Sequence, residues 1–329
     1  CMFFAAVSGS GPATVAAVGS MVVPTMLEKG YSKSFTLACV ACAGCIGVII
    51  PPSIPMVIYG TSTGASVSTM FMAGFLPGIM IGVVLCLVCY FYCKKMGWRG
   101  SDQKFSAQEK WHIIVDAIPA LIDPIIILGG IYGGFFTPTE AAAVAAVYAL
   151  ICGLFIYREL NFSNLFSTIA AACSTNGTTM VIIGCATGFT RLLTLEQVPA
   201  AVSNFLIGIT DNKIIILLLI NLLLLFVGCF MDTTPAMMVL SPILLPVAEA
   251  LGLTAIHFGI IMVVNLAIGF ITPPLGINLF VAARVGNTSL EVVCKGIIRF
   301  IIAMLVCLML ITFIPAISEF LPRMTGMLK

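Results

Sequence analysis

Hydroxyl side chains and helix-breaking prolines gather at four places in an otherwise apolar chain. Two are polar tips, Ser8-Gly9-Ser10-Gly11-Pro12 and Met231-Asp232-Thr233-Thr234-Pro235. Two are double prolines preceded by glycine, Gly47-Val48-Ile49-Ile50-Pro51-Pro52-Ser53 and Gly269-Phe270-Ile271-Thr272-Pro273-Pro274-Leu275. Proline has no N–H for the carbonyl four residues back, so the first pair releases the carbonyls of Gly47 and Val48 and the second those of Gly269 and Phe270. Each tip and break together offer hydroxyls (Ser8, Ser10 and Ser53; Thr233, Thr234 and Thr272) beside released carbonyls. A small cage of neutral oxygens suits a hard monovalent cation such as sodium, and no His or Cys pattern has transition-metal spacing. Helices starting at the tips aim their N-termini at the same region, which favours an anion. The expected sodium residues are Ser8, Gly9, Ser10, Gly47, Pro51 and Ser53 in one half and Asp232, Thr233, Thr234, Gly269, Thr272 and Pro273 in the other, giving two or more sodium sites. No other metal and no organic cofactor is expected.

The two breaks are copies. Their residue numbers differ by 222, and the same offset pairs Pro24 with Pro246, Gly30 with Gly252, Gly47 with Gly269 and Gly64 with Gly286. Broken helices survive at membrane depth where they line a cavity or hold an ion, and a matched pair in two halves of a chain points to a transporter site. The competing reading, that Ser, Gly and Pro only let helices kink and pack, explains one motif but not its repetition beside a second polar tip.

The elements that must position these residues are membrane helices. The chain is 60% hydrophobic and 9% charged, with mean hydropathy +1.17, which excludes a soluble domain. Lysines and arginines are few and sit in loops, so a nucleic-acid partner is excluded and lipid is the surrounding medium. Most of the 13 cysteines lie in apolar stretches as small packing residues. Cys39-x-x-Cys42-x-x-Cys45 resembles part of an iron–sulfur run, but it alternates with Ala and Gly and has no neighbouring fourth cysteine.

Along the chain, Ser10 is a candidate N-cap with Pro12 early in the helix that runs to about Leu27. A broken helix follows from Ser34 through Pro51-Pro52, and a span covers roughly Thr69 to Cys93. The basic stretch with Lys94, Lys95, Arg99, Lys104 and Lys110, flanked by Trp98 and Trp111, reads as cytoplasmic. Pro119 and Pro124 place the start of the next span near Asp123. Thr137-Pro138-Thr139-Glu140 reads as a capping box. Small and hydroxylated residues from Ala170 to Thr179 mark tight helix contact or a polar cavity wall. The resulting division is a first repeat at 1–93, a basic loop at 94–112, connecting and scaffold or arm helices at 113–210, and a second, inverted repeat at 211–329. Only seven residues precede the first tip, whereas the apolar helix Ile214–Phe230 precedes the second, so an N-terminally truncated chain is expected.

Asp232 is open between capping its helix and sitting near the ion. Arg191, Arg284 and Arg299 are open between facing an anion and snorkelling at helix ends. Ser10 with His257 could form an intramembrane protease dyad, and a channel is a further option; the duplication argues against the protease, which has no use for a second broken helix.

Ser-Gly-Ser-Gly-Pro-Ala-Thr (8–14), Ile-Pro-Pro-Ser (50–53), Gly-Gly-Phe-Phe-Thr-Pro-Thr-Glu-Ala-Ala (133–142), Met-Asp-Thr-Thr-Pro (231–235) and Thr-Pro-Pro-Leu-Gly-Ile-Asn-Leu (272–279) together resemble the large membrane subunit of tripartite ATP-independent periplasmic (TRAP) transporters. The resemblance covers essentially the whole chain. It implies an all-α polytopic protein of the bacterial inner membrane, with two inverted repeats that each hold a re-entrant hairpin and a broken helix. It implies an elevator that imports an organic-acid anion such as sialate or a C4-dicarboxylate with sodium. The implied partners are a small four-helix membrane subunit, separate or fused, and a periplasmic substrate-binding protein. The anion would meet Ser10, Gly11, Pro52, Thr234, Pro235, Pro274 and Asn278. A stand-alone sodium-coupled elevator carrier is the alternative.

Overall fold

The structure is a computed structural model that describes residues 1–98, 100, 106–209 and 212–328; Arg99 and Lys104 of the basic stretch lie outside them. All regular secondary structure among the described residues is helical, and six helices are long and apolar enough to cross a membrane. The chain divides into two compact units, residues 1–100 with 186–329, and residues 101–185.

The larger unit holds α1 (Met2–Ser8), α2 (Gly11–Glu28), α3 (Lys33–Cys45), α4 (Ile54–Thr63) and α5 (Val67–Met96). Later in the chain it holds α9 (Val198–Ile209), α10 (Lys213–Gly228), α11 (Thr233–Ala250), α12 (Ala255–Gly269), α13 (Ile277–Val285), α14 (Leu290–Phe313) and α15 (Ala316–Met324). The duplication survives element by element: adding 222 to the bounds of α2 gives those of α11, and the same shift takes the start of α3 to the start of α12 and the end of α4 to the end of α13. Gly30 and Gly252, which end α2 and α11, both have φ of +79°, a left-handed conformation that glycine adopts without steric cost. Both double prolines contain a cis bond, Pro51-Pro52 and Pro273-Pro274.

The copies interlock. α4 packs on α11 of the other copy, and α13 packs on α2; α5 crosses α12, and α14 crosses α3. Ser62 and Ser241 join α4 to α11 through hydroxyls 2.9 Å apart. α12 is the most buried helix, with every residue from Ile256 to Gly269 in the core. Close helix approach explains several glycines: a Cβ on Gly259 would sit 2.5 Å from the Tyr59 ring, and one on Gly296 would sit 2.5 Å from the Ser34 carbonyl.

The two broken helices enter the unit from opposite ends of α5. Tyr31, just before α3, holds its ring tilted against Trp98, beyond the last turn of α5, with centroids 5.2 Å apart. Gly259, early in α12, instead touches Met70, in the first turn of α5. At the α12 entrance, α15 is held by Thr254, whose hydroxyl bonds Glu319 at 2.5 Å, and by His257, whose Nδ1 lies 2.7 Å from the Ser318 hydroxyl. Arg323 pairs with Glu319 at 2.8 Å. Burial acts to raise the Glu319 pKa, but hydrogen bonds from Thr254 and Arg323 and the Arg323 charge outweigh it and hold the carboxyl below its ordinary value.

In the smaller unit, α6 (Ala107–Tyr132) and α7 (Pro138–Ile151) form a helical hairpin. Tyr148 donates to the Pro119 carbonyl at 2.9 Å and Tyr157 to the Asp116 carbonyl at 2.8 Å. α7 begins with the expected capping box of Thr137 and Glu140. α6 runs unbroken through Pro119 and Pro124, its own capping box is Ser106 with Glu109, and Asp123, near which the span was expected to begin, lies in its interior. Prolines in successive turns of an apolar helix lose bonds yet do not end it when the flanking turns are held. α8 (Phe162–Leu195) spans the boundary between the units. Along it, Ala170–Ala172 and Ser174–Thr178 are exposed and Thr179 is half-buried. There, Thr175, Thr178 and Thr179 return their hydroxyls to carbonyls one turn back.

Candidate ion and anion site

Around the first tip the hydroxyls converge. Ser8 Oγ lies 3.0 Å from Thr14 Oγ1, and Thr14 donates to the Ser10 carbonyl at 2.8 Å. Ser10 occupies the N-cap position of α2, but its hydroxyl makes no capping bond. Against this turn lies Gly47: a Cβ there would fall 2.7 Å from Thr14 Oγ1 and 2.8 Å from the Ser10 carbonyl. Gly9, at φ +59°, approaches the Pro52 carbonyl, which a Cβ on Gly9 would meet at 2.9 Å, and Ile54 N–H reaches the Gly9 carbonyl at 3.5 Å. Ser8, Gly9, Ser10, Gly47 and Pro52 are thus brought together. Thr14, fully buried, belongs with them; it stands one helical turn beyond Ser10, a spacing that would have picked it out.

Three of the four released carbonyls are not open. Val48 accepts from the Ser53 hydroxyl at 2.6 Å, Gly269 from Thr272 N–H at 3.1 Å, and Phe270 from Asn278 N–H at 3.0 Å. Backbone released at depth without water takes the nearest donor. The Gly47 carbonyl accepts none of these bonds. Pro51 and Ser53 are buried at the break, with Ser53 serving as the cap of α4.

The second set is arranged differently. Asp232 caps α11, accepting from Thr233 N–H at 2.6 Å and from the Thr233 hydroxyl at 3.3 Å; the cap is the geometry found. Thr272 returns its hydroxyl to the Ile268 carbonyl at 2.8 Å. Among the described residues no hydrogen bond links Asp232, Thr233, Thr234 or Pro235 to the break; the connection runs from Leu275 N–H to the Cys229 carbonyl at 3.3 Å. Gly269 lies directly on the Gly228 backbone. Pro273 and Pro274 are exposed, whereas Pro51 is buried and Pro52 half-buried, so the first break is covered by its tip and the second is open.

The breaks meet in the middle. Cys45 Sγ contacts the Ala267 carbonyl at 3.1 Å, and these two positions are themselves 222 residues apart. Asn278, fully buried, donates to the Ala41 carbonyl at 3.0 Å. Its Oδ1 is buried without a partner and faces Gly11, where a Cβ would lie 3.3 Å from it. A second buried amide, Asn265, donates to Asn221 Oδ1 at 2.7 Å while its own Oδ1 is unpartnered. Sequence reading missed Asn265, although a lone amide one turn before Gly269 in an apolar helix was the signal.

Other candidates fall away from the site. His257 bonds Ser318 rather than Ser10, so the protease dyad does not form. Arg299 stacks 4.3 Å over the Tyr92 ring, and Arg191 and Arg284 are exposed.

Apolar helices, two interlocked broken helices and oxygen-lined breaks define a polytopic membrane protein of transporter architecture. Residues 1–317 match the family described as the DctM component of the tripartite ATP-independent periplasmic transporter, and the chain belongs to that family. It is 49% identical over 320 residues to the isethionate TRAP transporter permease protein of Oleidesulfovibrio alaskensis, covering 97% of this chain and 50% of that protein. It is 41% identical to the C4-dicarboxylate TRAP transporter large permease protein of Pseudomonas aeruginosa, covering 99% of this chain and 76% of the relative. It is 34% identical to the sialic acid TRAP transporter large permease protein of Vibrio cholerae, covering 98% of this chain and 75% of the relative. The chain therefore spans half the length of the first of these and about three quarters of the other two. It is a multi-pass protein of the inner membrane, and its relatives are permease subunits rather than enzymes.

Proposed function

We propose that this chain carries an organic-acid anion, carboxylate or sulfonate, across the membrane by an elevator motion coupled to sodium. The single observation behind this reading is the interlocked pair of breaks at one sequence offset, joined at Cys45 and Ala267. Sodium enters through the oxygens that the first break leaves uncommitted, the Ser10 hydroxyl and the Gly47 carbonyl with Ser8 and Thr14 beside them, and through the Thr233, Thr234 and Thr272 region of the second copy. The anion lies between the sets, against Gly11, Pro52, Pro274 and Asn278, where the N-terminus of α2 favours negative charge. The two repeats are inverted in the membrane, a reading supported by the entry of α3 and α12 from opposite ends of α5.

A periplasmic binding protein and a small membrane subunit complete the assembly. Supporting this, none of the described arginines makes a hydrogen bond at either break. Helix termini contribute about 0.3–1 kcal/mol each when exposed and about 2 kcal/mol in partly buried geometry, whereas a micromolar site needs about 8 kcal/mol. Such a cavity holds free anion weakly, and a tight-binding soluble partner supplies the capture step. The isethionate and C4-dicarboxylate relatives suggest the substrate class. The test is uptake by vesicles carrying the membrane subunits, with and without an inward sodium gradient and with and without the soluble protein. Uptake indifferent to sodium refutes the coupling, and uptake equally fast without the soluble protein replaces the tripartite reading with a stand-alone carrier.

A further inference from the structure

Two cysteine ladders run along facing helices, Cys39, Cys42 and Cys45 on α3 and Cys86, Cys89 and Cys93 on α5. Among the described residues no group of three or more metal-ligating side chains gathers, so the ladders are not a cluster site. One pair stands apart. The sulfurs of Cys39 and Cys89 lie 3.5 Å from each other, while Cys42 is turned to Met304 and Cys45 to the backbone of Ala41 and Ala267. Cys39 and Cys89 are both free and half-buried. They line an apolar groove of about 630 Å³ whose wall also includes Leu85, Cys86, Tyr90 and Cys93.

We propose that Cys39 and Cys89 are a redox-active dithiol, which a hydroperoxide reaching the apolar groove converts to a disulfide tying α3 to α5. A disulfide needs its sulfurs about 2.05 Å apart, so the pair, now 3.5 Å apart, must close by about 1.5 Å. In the first step one sulfur attacks the peroxide, an S–O bond forms, the O–O bond breaks, and the alcohol leaves with a proton. In the second step the other sulfur attacks the sulfenic acid, an S–S bond forms, the S–O bond breaks, and water leaves. Two thiols lose two electrons and two protons, and the hydroperoxide is reduced to alcohol and water. The tie falls on the helix that leads into the Gly47 break. An apolar hydroperoxide is the fitting oxidant, because the groove offers hydrocarbon rather than water.

The experiment treats the purified full chain in detergent with tert-butyl hydroperoxide, blocks remaining thiols with N-ethylmaleimide, and maps the digested peptides by mass spectrometry. The expected result is a peptide linking Cys39 to Cys89 and, in a sample weighed before the thiols are blocked, the loss of two hydrogens from the intact mass, both reversed by dithiothreitol. The link should be absent from folded Cys39→Ser and Cys89→Ser proteins, with Cys39→Ala and Cys89→Ala as second variants should the hydroxyl disturb packing. Alkylation of both thiols after peroxide, a bridge to Cys86 or Cys93 in place of this pair, or oxidation of either sulfur without bridging overturns the proposal.

Discussion

Adding one methyl group at Gly47 probes the first break where its oxygens meet the tip. An Ala Cβ at this position would sit 2.7 Å from Thr14 Oγ1 and 2.8 Å from the Ser10 carbonyl. An ordinary contact is about 3.5 Å, so tip and break must part by about 0.7–0.8 Å. Thr14 has no slack, being fully buried and bonded to both Ser8 and Ser10. Overpacking of this kind costs about 1–3 kcal/mol. If the separation between tip and break sets the ion's oxygen cage, that cost appears in sodium affinity as a rise of about 5- to 150-fold in the half-saturating concentration. The assay is initial uptake by reconstituted vesicles over a sodium titration, with thermal unfolding in parallel to verify folding. Gly129→Ala is the control, since no atom lies within 4 Å of a Cβ there. A folded Gly47→Ala protein with wild-type sodium dependence refutes the assignment of the first site.

Four further outcomes are expected. Ser10→Ala, removing a hydroxyl that makes no capping bond, should raise the half-saturating sodium concentration while leaving the thermal midpoint nearly unchanged; a large stability loss with unaltered sodium dependence would mean the hydroxyl is structural. Asn221→Leu deprives the Asn265 amide of its Oδ1 acceptor and should cost about 1–3 kcal/mol, read as a lower thermal midpoint. Glu319 has a lowered folded-state pKa, so its contribution is present above the unfolded value and is lost as pH falls through the folded one; the stability gap between wild type and Glu319→Gln should therefore narrow as pH drops below 4.5, and a constant gap would assign it to packing alone. Tags placed beside Lys94 and after Met324 should label from opposite sides of the membrane in intact cells, the Lys94 side being cytoplasmic; equal labelling refutes inversion.

The sequence alone determined the membrane class, because 60% apolar composition leaves no soluble packing solution. It also determined the duplication, since prolines and glycines that dictate backbone geometry recur at one offset, and the Thr137–Glu140 cap, which is local chemistry within a single turn. Only the tertiary structure decided which released carbonyls stay open. Proline identity fixes the loss of a donor, but whether Ser53, Thr272 N–H or Asn278 N–H replaces it depends on how the chain folds back. The same holds for the asymmetry of the two breaks, one covered by Gly9 and the other exposed, and for His257, whose partner Ser318 comes from a helix 61 residues away. Those distances are set by packing between elements, and a pattern of residue types along one chain carries no record of them.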